Sequence, residues 1–266
     1  MTKELIAAIN AAKLAGKHAR KNFGLLNTAQ IRQKNPKDFV TEVDKMCEEL
    51  AVTFLHKKFP NDDIVAEEGT LEKGASGRRW IIDPLDGTLN FIHSFPFFAI
   101  SIALVNENDE ILCGAIYQPI SKELFTAERG GGAYFNNRRV RVSRTYRPHH
   151  LLLATGFPYN LTEHLEPSMA LFKEMLVQCA GLRRPGSAAL DLAYTACGRF
   201  DGFWELKLHA WDIAAGALIV KEAGGMVTDF KGNGDFLKSG NIIASNGKIH
   251  PFMLETVQRH FGLNFE

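Results

Sequence analysis

The spacing of apolar residues along the chain predicts a regular alternation of helices and strands. The segment MTKELIAAINAAKLAGKHARKNF at the start carries apolar side chains at intervals of three and four with lysines between them, which is typical of an amphipathic helix. The same period over residues 43–58 predicts a second helix. Short apolar runs at residues 62–66 and 80–82 then indicate buried strands, and an acidic residue follows each run.

The middle of the chain is predicted to form paired strands. Residues 98–105 and 111–117 are apolar runs joined by a polar turn. Residues 124–127 and 140–142 continue the pattern around a glycine triplet. These runs predict a sheet built mainly from neighbours in sequence.

The second half alternates strands with helices. Ser187 is a credible N-cap, and Gly198 stands where the same helix would end. A soft boundary near residue 145 divides the chain into halves 1–145 and 146–266 of one compact unit. The strands are predicted at 151–155, 202–205 and 226–230, and the helices at 167–179, 187–197 and 212–223.

Composition adds few restrictions. The chain has 266 residues, 45% of them hydrophobic, and a net charge of +1, so no global charge attracts it to nucleic acid or anionic lipid. It contains no apolar run of bilayer length and no signal-peptide pattern at its start. The four scattered cysteines lack C-x-x-C pairing, which favours reduced structural thiols and a cytoplasmic location.

The motif Asp83-Pro84-Leu85-Asp86-Gly87 raises an electrostatic question. Two carboxylates held about 4 Å apart repel by about 4 kcal/mol at an effective dielectric constant near 20. A fold relieves this repulsion by separating the groups, protonating one, or binding a cation. With the Leu85 carbonyl, the two aspartates make an all-oxygen set suited to Mg²⁺. An isolated motif of this kind is more often explained by turn formation and helix capping.

Two further acids stand at comparable positions. Glu67 follows an apolar strand, and Asp212 stands at the predicted start of a helix. Each has an ordinary explanation, a solvated loop for Glu67 and an N-cap for Asp212. If they converge with Asp83 and Asp86, the four form a polycarboxylate pocket. The apolar pattern alone leaves both interpretations open.

Six motifs in order resemble those of the inositol monophosphatase family, and the overall pattern is most similar to its bacterial SuhB type. The Asp83–Phe91 segment D-P-L-D-G-T-L-N-F is the most specific of them. The others are Lys34 with Asp38–Asp44, Ala66–Glu68, Gly132–Asn136, Gly186–Ala189 and Trp211–Gly216.

The resemblance implies a layered αβαβα sandwich of the sugar-phosphatase type, an α+β or α/β fold, and a Mg²⁺-dependent phosphomonoesterase acting on inositol 1-phosphate and related polyol phosphates. Two to three Mg²⁺ ions per site are implied. Glu67, Asp83 and the Leu85 carbonyl would hold the first, and Asp83, Asp86 and Asp212 the second, with a weaker third ion near Glu67.

The resemblance also assigns catalytic and substrate-binding residues. Thr88, polarised by Asp44, would orient or deprotonate the attacking water, with Glu67 acting through its metal ion. Lys34 would place the loop before Asp38 over the metals. Ordinary roles stay open for Asp44 as a first-turn helix acid and for Arg183 as a dimer-interface residue, which is the favoured role of Arg183. They also stay open for Lys34 as a solvated lysine, for Glu205 as an exposed strand residue and for Gly186–Ala188 as a plain N-cap. The substrate contacts would be Asp86, Gly87, Thr88, Arg183, Gly186, Ser187, Ala188, Glu205 and Asp212.

Alternative functions remain. Fructose-1,6-bisphosphatase and other small-molecule phosphatases of the same superfamily share similar motifs. The basic stretch Arg138–Arg144 is interpreted as an edge strand with a solvated face, or as an RNA contact. SuhB-type relatives imply a role in transcription antitermination complexes, with phosphatase activity secondary. The family further implies a homodimer and inhibition by lithium, and no membrane partner is expected.

Overall fold

A computed structural model describes residues 1–35, 38–158, 160–263 and 265 of the chain. A hairpin near the start, not predicted above, pairs β1 (Ile31–Asn35) with β2 (Asp38–Thr41) in antiparallel fashion. The loop predicted to follow Lys34 falls on residues 36 and 37, which lie outside the described residues.

The larger sheet contains eight strands in the order β10-β9-β8-β7-β6-β5-β3-β4. All neighbours are antiparallel except β3 and β5, which run parallel. This confirms the sheet of sequence neighbours predicted for the middle of the chain. Its strands are β3 (Asp63–Ala66), β4 (Leu71–Glu72), β5 (Arg79–Asp86), β6 (Ala99–Val105), β7 (Ile111–Gln118), β8 (Glu123–Glu128), β9 (Gly132–Phe135) and β10 (Arg138–Val140).

The smaller sheet has five strands in the order β12-β11-β13-β15-β14. β11 runs parallel to both of its neighbours, whereas β15 is antiparallel to β13 and β14. The first sheet thus ends at Val140 and the second begins at Leu152. Its strands are β11 (Leu152–Thr155), β12 (Gly181–Arg183), β13 (Gly202–Glu205), β14 (Met226–Thr228) and β15 (Ile242–Ser245).

The helices form three layers around these two sheets. α1 and α2 cover one face of the larger sheet, α5 and α6 lie between the sheets, and α4 and α8 cover the outer face of the smaller sheet. Three buried apolar clusters fill the spaces between the layers, so the order is αβαβα as expected. The helices are α1 (Lys3–Asn22), α2 (Glu42–Lys58), α3 (Thr88–Ile92), α4 (Leu165–Gln178), α5 (Ala188–Ala196), α6 (Ala210–Glu222), α7 (Phe236–Ser239) and α8 (His250–Phe261).

Several predicted boundaries differ from the structure. The strand expected over residues 80–82 continues through Asp86, because the acidic motif stays paired to β6 across a bulge. The helix expected from Asp212 begins at Ala210, so Asp212 is not its N-cap. The strand expected at 140–142 occupies Arg138–Val140. Four elements of the second half were not predicted: β12, α7, β15 and α8.

The remaining predictions about burial and membranes can be compared directly. All four cysteines are unpaired, and all but the half-buried Cys197 are buried. Burial raises the pKa of Cys113 to about 12, in keeping with an inert thiol. Within the described residues, no helix is both long and apolar enough to cross a bilayer.

Candidate active site

A bulge in β5 determines the placement of the first two aspartates. Asp83 pairs with Ser101 and Asp86 with Ala99, so β5 advances three residues where β6 advances two. The Leu85 amide donates to Asp83 Oδ1 at 2.9 Å, which fixes that carboxylate. The extra residue therefore allows two carboxylates three positions apart to lie at the end of one strand.

The third aspartate comes from α6. Asp212 is the third residue of that helix, and its Oδ2 accepts a hydrogen bond from the His209 amide at 2.7 Å. Asp83, Asp86 and Asp212 each offer one oxygen, and these three oxygens lie within 4.8 Å of one another. Asp83 is 1% exposed and Asp86 9%, so the repulsion between the three is not relieved by bulk water.

Asp86 is anchored by the N-terminus of α5. Its Oδ2 accepts hydrogen bonds from Ser187 Oγ at 2.5 Å and from the Ala189 amide at 2.7 Å. Ser187 also accepts from the Leu190 amide at 3.4 Å, so the predicted N-cap is confirmed. The same serine thus caps the start of the helix and orients a carboxylate of the larger sheet.

Glu67 approaches the cluster from the end of β3. Its amide donates to the Ile82 carbonyl at 3.2 Å, which holds it beside β5. Lys34 Nζ lies 3.5 Å from Glu67 Oε1 and 2.6 Å from Glu68 Oε1. The hairpin therefore places a cation next to the fourth carboxylate.

The electrostatics of the cluster reflect its burial and its like charges. Burial is the main cause of every shift; neighbouring carboxylates add to it for Glu67, Asp83 and Asp212, whereas hydrogen bonds from Ser187 and Ala189 oppose it for Asp86. The pKa of Glu67 rises to about 8, that of Asp212 to about 7 and that of Asp86 to about 6. The pKa of Asp83 is raised well above its usual range. Four acids with raised pKa values in one place, all offering oxygen, fit a hard divalent cation such as Mg²⁺.

Thr88 and Asp44 form a hydrogen-bonded pair next to the cluster. Thr88 Oγ1 donates to Asp44 Oδ1 at 2.7 Å and also contacts the Leu85 carbonyl at 3.1 Å. Asp44 is 1% exposed, and its other oxygen accepts hydrogen bonds from the amide and the hydroxyl of Thr41. Asp44 is therefore a fixed acceptor for the Thr88 proton, although burial raises its pKa.

A cavity of about 350 Å³ joins the acidic cluster to the smaller sheet. Gly87, at its wall, adopts a φ of 96°, and a Cβ there would lie 3.0 Å from the Phe97 carbonyl oxygen, so only glycine fits. Glu205 also lines the cavity, and its carboxylate packs on Gly156; a Cβ on that glycine would lie 2.1 Å from Glu205 Oε2. Burial raises the pKa of Glu205 to about 8.

The structure brings together nearly all of the residues singled out from the sequence. Asp44, Asp83 and Leu85 lie buried behind the cavity wall. Arg183 is the exception, because it is exposed at the end of β12 and does not line the cavity. Those that line the cavity are Glu67, Asp86, Gly87, Thr88, Gly186, Ser187, Ala188, Glu205 and Asp212.

Sequence reasoning missed three charged residues of the cavity, Arg184, Asp191 and Lys207. Arg184 lines it in place of its neighbour Arg183, and Asp191 lines it from the first turn of α5. Adjacent arginines carry no pattern that tells which one faces inward. The signal for Asp191 was available, because an aspartate interrupts the apolar run Ala188-Ala189-Leu190-Asp191-Leu192.

Comparison with known proteins agrees with this geometry. The sequence model of the inositol monophosphatase family matches residues 1–261 of this chain. The Nus factor SuhB of Vibrio cholerae serotype O1 is 48% identical over 255 residues, which cover 95% of each chain. The inositol-1-monophosphatase of Mesorhizobium japonicum is 42% identical over 252 residues, which cover 94% of each.

Solved structures agree as well. The extragenic suppressor protein suhB of Bartonella henselae superposes with a TM-score of 0.92 at 43% identity, covering 97% of this chain and 99% of that one. The IMPase of Thermotoga maritima gives 0.88 at 39% identity, with coverages of 97% and 98%. These structures confirm the layered α+β fold. The chain belongs to the inositol monophosphatase family.

Proposed function

We propose that this protein is a Mg²⁺-dependent phosphomonoesterase that hydrolyses inositol 1-phosphate and related polyol monophosphates to the free alcohol and phosphate. One observation carries the proposal. The oxygens of Asp83, Asp86 and Asp212 lie within 4.8 Å of one another beside a cavity of about 350 Å³. Such a cluster is costly without cations, and a phosphate monoester needs cations to offset its own charge.

The family resemblance supplies the proposed ligand sets, and the grouping of Asp83, Asp86 and Asp212 supports one of them. Asp83, Asp86 and Asp212 would hold one Mg²⁺, and Glu67 with Asp83 and the Leu85 carbonyl another. Divalent ions bound here would acidify a water molecule and offset negative charge on the phosphoryl and leaving oxygens. Lys34 stands beside Glu67 as a further positive charge. A weaker third ion near Glu67 and inhibition by Li⁺ belong to the same proposal.

Thr88 and Asp44 are proposed to position the attacking water. Because the Thr88 hydroxyl proton points to Asp44 Oδ1, the lone pairs of Thr88 Oγ1 can accept a hydrogen bond from water. A proton taken up at Thr88 Oγ1 can be matched by transfer of the hydroxyl proton to Asp44. The two donors from Thr41 keep the Asp44 carboxylate in place throughout.

The cavity wall is proposed to hold the substrate. The Gly87 and Thr88 amides would donate to the phosphoryl oxygens, and Glu205 would accept a hydroxyl of the polyol. Ser187 already donates to Asp86, so its proposed role is mainly to position Asp86. Gly186 and Ala188 would lie beside the substrate on the same wall. The halves 1–145 and 146–266 would act as one unit, since both contribute to this wall.

Phosphate release from a substrate panel tests the proposal. The panel contains inositol 1-phosphate, fructose 1,6-bisphosphate and 3′-phosphoadenosine 5′-phosphate, each with Mg²⁺ and with EDTA. We expect the highest kcat/KM for inositol 1-phosphate and loss of activity in EDTA. A preference for fructose 1,6-bisphosphate would instead assign the bisphosphatase alternative, and full activity in EDTA would refute the metal mechanism.

A second role, in a transcription complex with RNA or protein, is proposed from a separate observation. Arg138 and Arg139 are exposed on β10, the edge strand of the larger sheet, and a relative 48% identical is named Nus factor SuhB. Charged residues also protect an edge strand from aggregation, so binding must be measured. RNA affinity that falls steeply with salt and is lost in the Arg138→Ala/Arg139→Ala variant would support the role. Salt-insensitive or absent binding would refute RNA contact.

A homodimer is proposed on the basis of α4. Leu165, Met169 and Leu176 are 42%, 44% and 51% exposed, and their spacing of four and seven places them on one face of the helix. Arg183, exposed nearby on β12, is proposed to lie at this interface rather than in the cavity. Light scattering should give twice the chain mass, and Leu176→Glu should give the monomer; a monomeric wild type would refute the proposal.

A further inference from the structure

We propose that Asp191 binds a hydroxyl of the substrate alcohol in the cavity and so selects polyol monophosphates over other phosphate esters. This inference rests on the proposed function and adds a residue that it does not use. It starts from a mismatch within α5. The residues around Asp191 on this helix, Ala189, Leu190, Leu192 and Ala193, are all fully buried and apolar, and Asp191 itself is only 1% exposed.

The Asp191 carboxyl lacks a partner in the protein. Its Oδ1 is buried, and within the described residues no group donates to it or accepts from it. Most buried polar atoms in native proteins are hydrogen-bonded, so an exception beside a cavity needs an explanation. The backbone of the residue is conventional, since its amide donates to the Ser187 carbonyl at 3.0 Å. The unsatisfied group is therefore the side chain alone, in a residue that lines the cavity.

The position of Asp191 in the cavity identifies the ligand class. Asp191 lines the same cavity as Glu205, Arg184 and the proposed metal ligands Asp86 and Asp212. Burial raises the pKa of Asp191, the charges of Glu205 and Asp86 add to that rise, and Arg184 opposes it. An alcohol hydroxyl both donates and accepts, so it satisfies Asp191 whether that carboxyl is ionised or neutral.

Asp191 and Glu205 are thus placed to bind two hydroxyls of one alcohol. A site built to bond a hydroxyl discriminates strongly against substrates that lack it, because its buried polar groups are then left unpaired. A phosphate ester of a phenol offers no such hydroxyl. Such an ester should reach the metal cluster without using Asp191, and it therefore serves as the reference substrate.

The test compares kcat and KM for inositol 1-phosphate and p-nitrophenyl phosphate in the full-length protein with Mg²⁺. We expect Asp191→Ala to raise the KM for inositol 1-phosphate at least tenfold, with kcat changed less than threefold and p-nitrophenyl phosphate hydrolysis changed less than twofold. Its melting temperature should not fall, because an unpartnered group has been removed. Asp191→Asn, which keeps the shape of the side chain, should raise the same KM by a smaller factor.

Thr195→Val is the matched control. Thr195 is fully buried one turn further along α5, and its hydroxyl donates to the Asp191 carbonyl at 2.8 Å. This variant perturbs the same helix without changing the cavity, so the substrate preference should persist. An equal loss for both substrates in the Asp191 variants would show a structural role and overturn the inference. So would an unchanged preference.

The outcome for the wild type separates this inference from the proposed function. A wild type that prefers inositol 1-phosphate, with an Asp191→Ala variant that keeps the preference, overturns the inference alone. A wild type that hydrolyses p-nitrophenyl phosphate as well as inositol 1-phosphate overturns the proposed substrate class and this inference with it.

Discussion

Ser187 donates its hydroxyl to Asp86 Oδ2 at 2.5 Å, although the two residues lie 101 positions apart in the chain. Asp86 ends a strand of the larger sheet, and Ser187 caps a helix that packs between the sheets. The Ala189 amide donates to the same oxygen at 2.7 Å. The orientation of one proposed metal ligand is therefore set by the start of α5 rather than by its own strand.

Replacing Ser187 tests this coupling. We expect Ser187→Ala to require several-fold more Mg²⁺ for half-maximal activity, because Asp86 loses its hydroxyl donor. The lost N-cap should also lower stability by about 1 kcal/mol. Ser168→Ala is the control, since Ser168 is equally buried and its Oγ has no partner within the described part of the chain. Mg²⁺ titrations that coincide for Ser187→Ala and wild type would contradict the coupling.

Asp86→Asn should abolish Mg²⁺-dependent hydrolysis of inositol 1-phosphate while leaving the fold intact. The amide retains the size of the side chain but removes the charge that a divalent ion requires. Asp201→Asn should instead lower stability and retain hydrolysis. Asp201 is buried and accepts hydrogen bonds from Ser143 and the Leu152 amide, but it does not line the cavity. Circular dichroism and phosphate release check both variants. Retained turnover in Asp86→Asn would refute the proposed ligand role.

The Thr88 hydroxyl should contribute to turnover rather than to binding. We expect Thr88→Val to lower kcat by about 100-fold, the lower range for a positioned proton-transfer group, with little change in KM. Thr88→Ser should retain most of the activity because it keeps the hydroxyl beside Asp44. Steady-state kinetics of the pair provide the check. Equal loss in both variants would mean that the methyl group or the backbone, not the hydroxyl, is needed.

His250 should make stability depend on pH well away from the cavity. Burial lowers its pKa to about 4, and its ring nitrogens each lie 2.9 Å from a hydroxyl, of Ser245 and Thr228. Between pH 6.5 and 4 the unfolded chain binds a proton that the folded chain does not, so the free energy of unfolding falls as the pH falls, by roughly 3 kcal/mol in total.

Urea unfolding at several pH values checks this window. The difference in free energy of unfolding between wild type and His250→Gln should be constant above pH 7 and should shrink as the pH falls from 6.5 toward 4. A constant difference over the whole range would show that the native state accepts the proton at its ordinary pKa. The acidic cluster is common to both proteins, so its titration cancels in the difference.

Much of the fold was predictable from local signals. The periodicity of α1 and α2 and the cap at Ser187 depend only on residues close together in sequence, and the structure confirms them. The bulge at residues 83–86 was not predictable, because an acidic segment with Pro and Leu has the pattern of a turn unless the partner strand is known. The hairpin β1–β2 was also missed, since its exposed polar strand has no apolar alternation.

The site could be predicted only with the family resemblance. Four acids far apart in the chain give no local signal of convergence, and the apolar pattern left the alternative of separate caps and loops open. Where the pattern did carry information, at Asp191, it was an interruption of an apolar helix. The choice of Arg183 over Arg184 depended on which of two neighbours faces inward, which only the backbone path at the end of β12 determines.

The central claim is that Asp83, Asp86, Asp212 and Glu67 tolerate one another only with divalent cations between them. The most direct measurement is the melting temperature of wild type and Asp212→Asn at pH 8, in EDTA and in excess Mg²⁺. In EDTA the variant should melt above the wild type, because one of the mutually repelling carboxyl groups is gone. Mg²⁺ should raise the melting temperature of the wild type by about 5 °C or more, as a Mg²⁺ concentration of 100 times Kd implies. It should leave the melting temperature of the variant nearly unchanged. A wild type that Mg²⁺ does not stabilise, or a variant that gains as much, would contradict the claim.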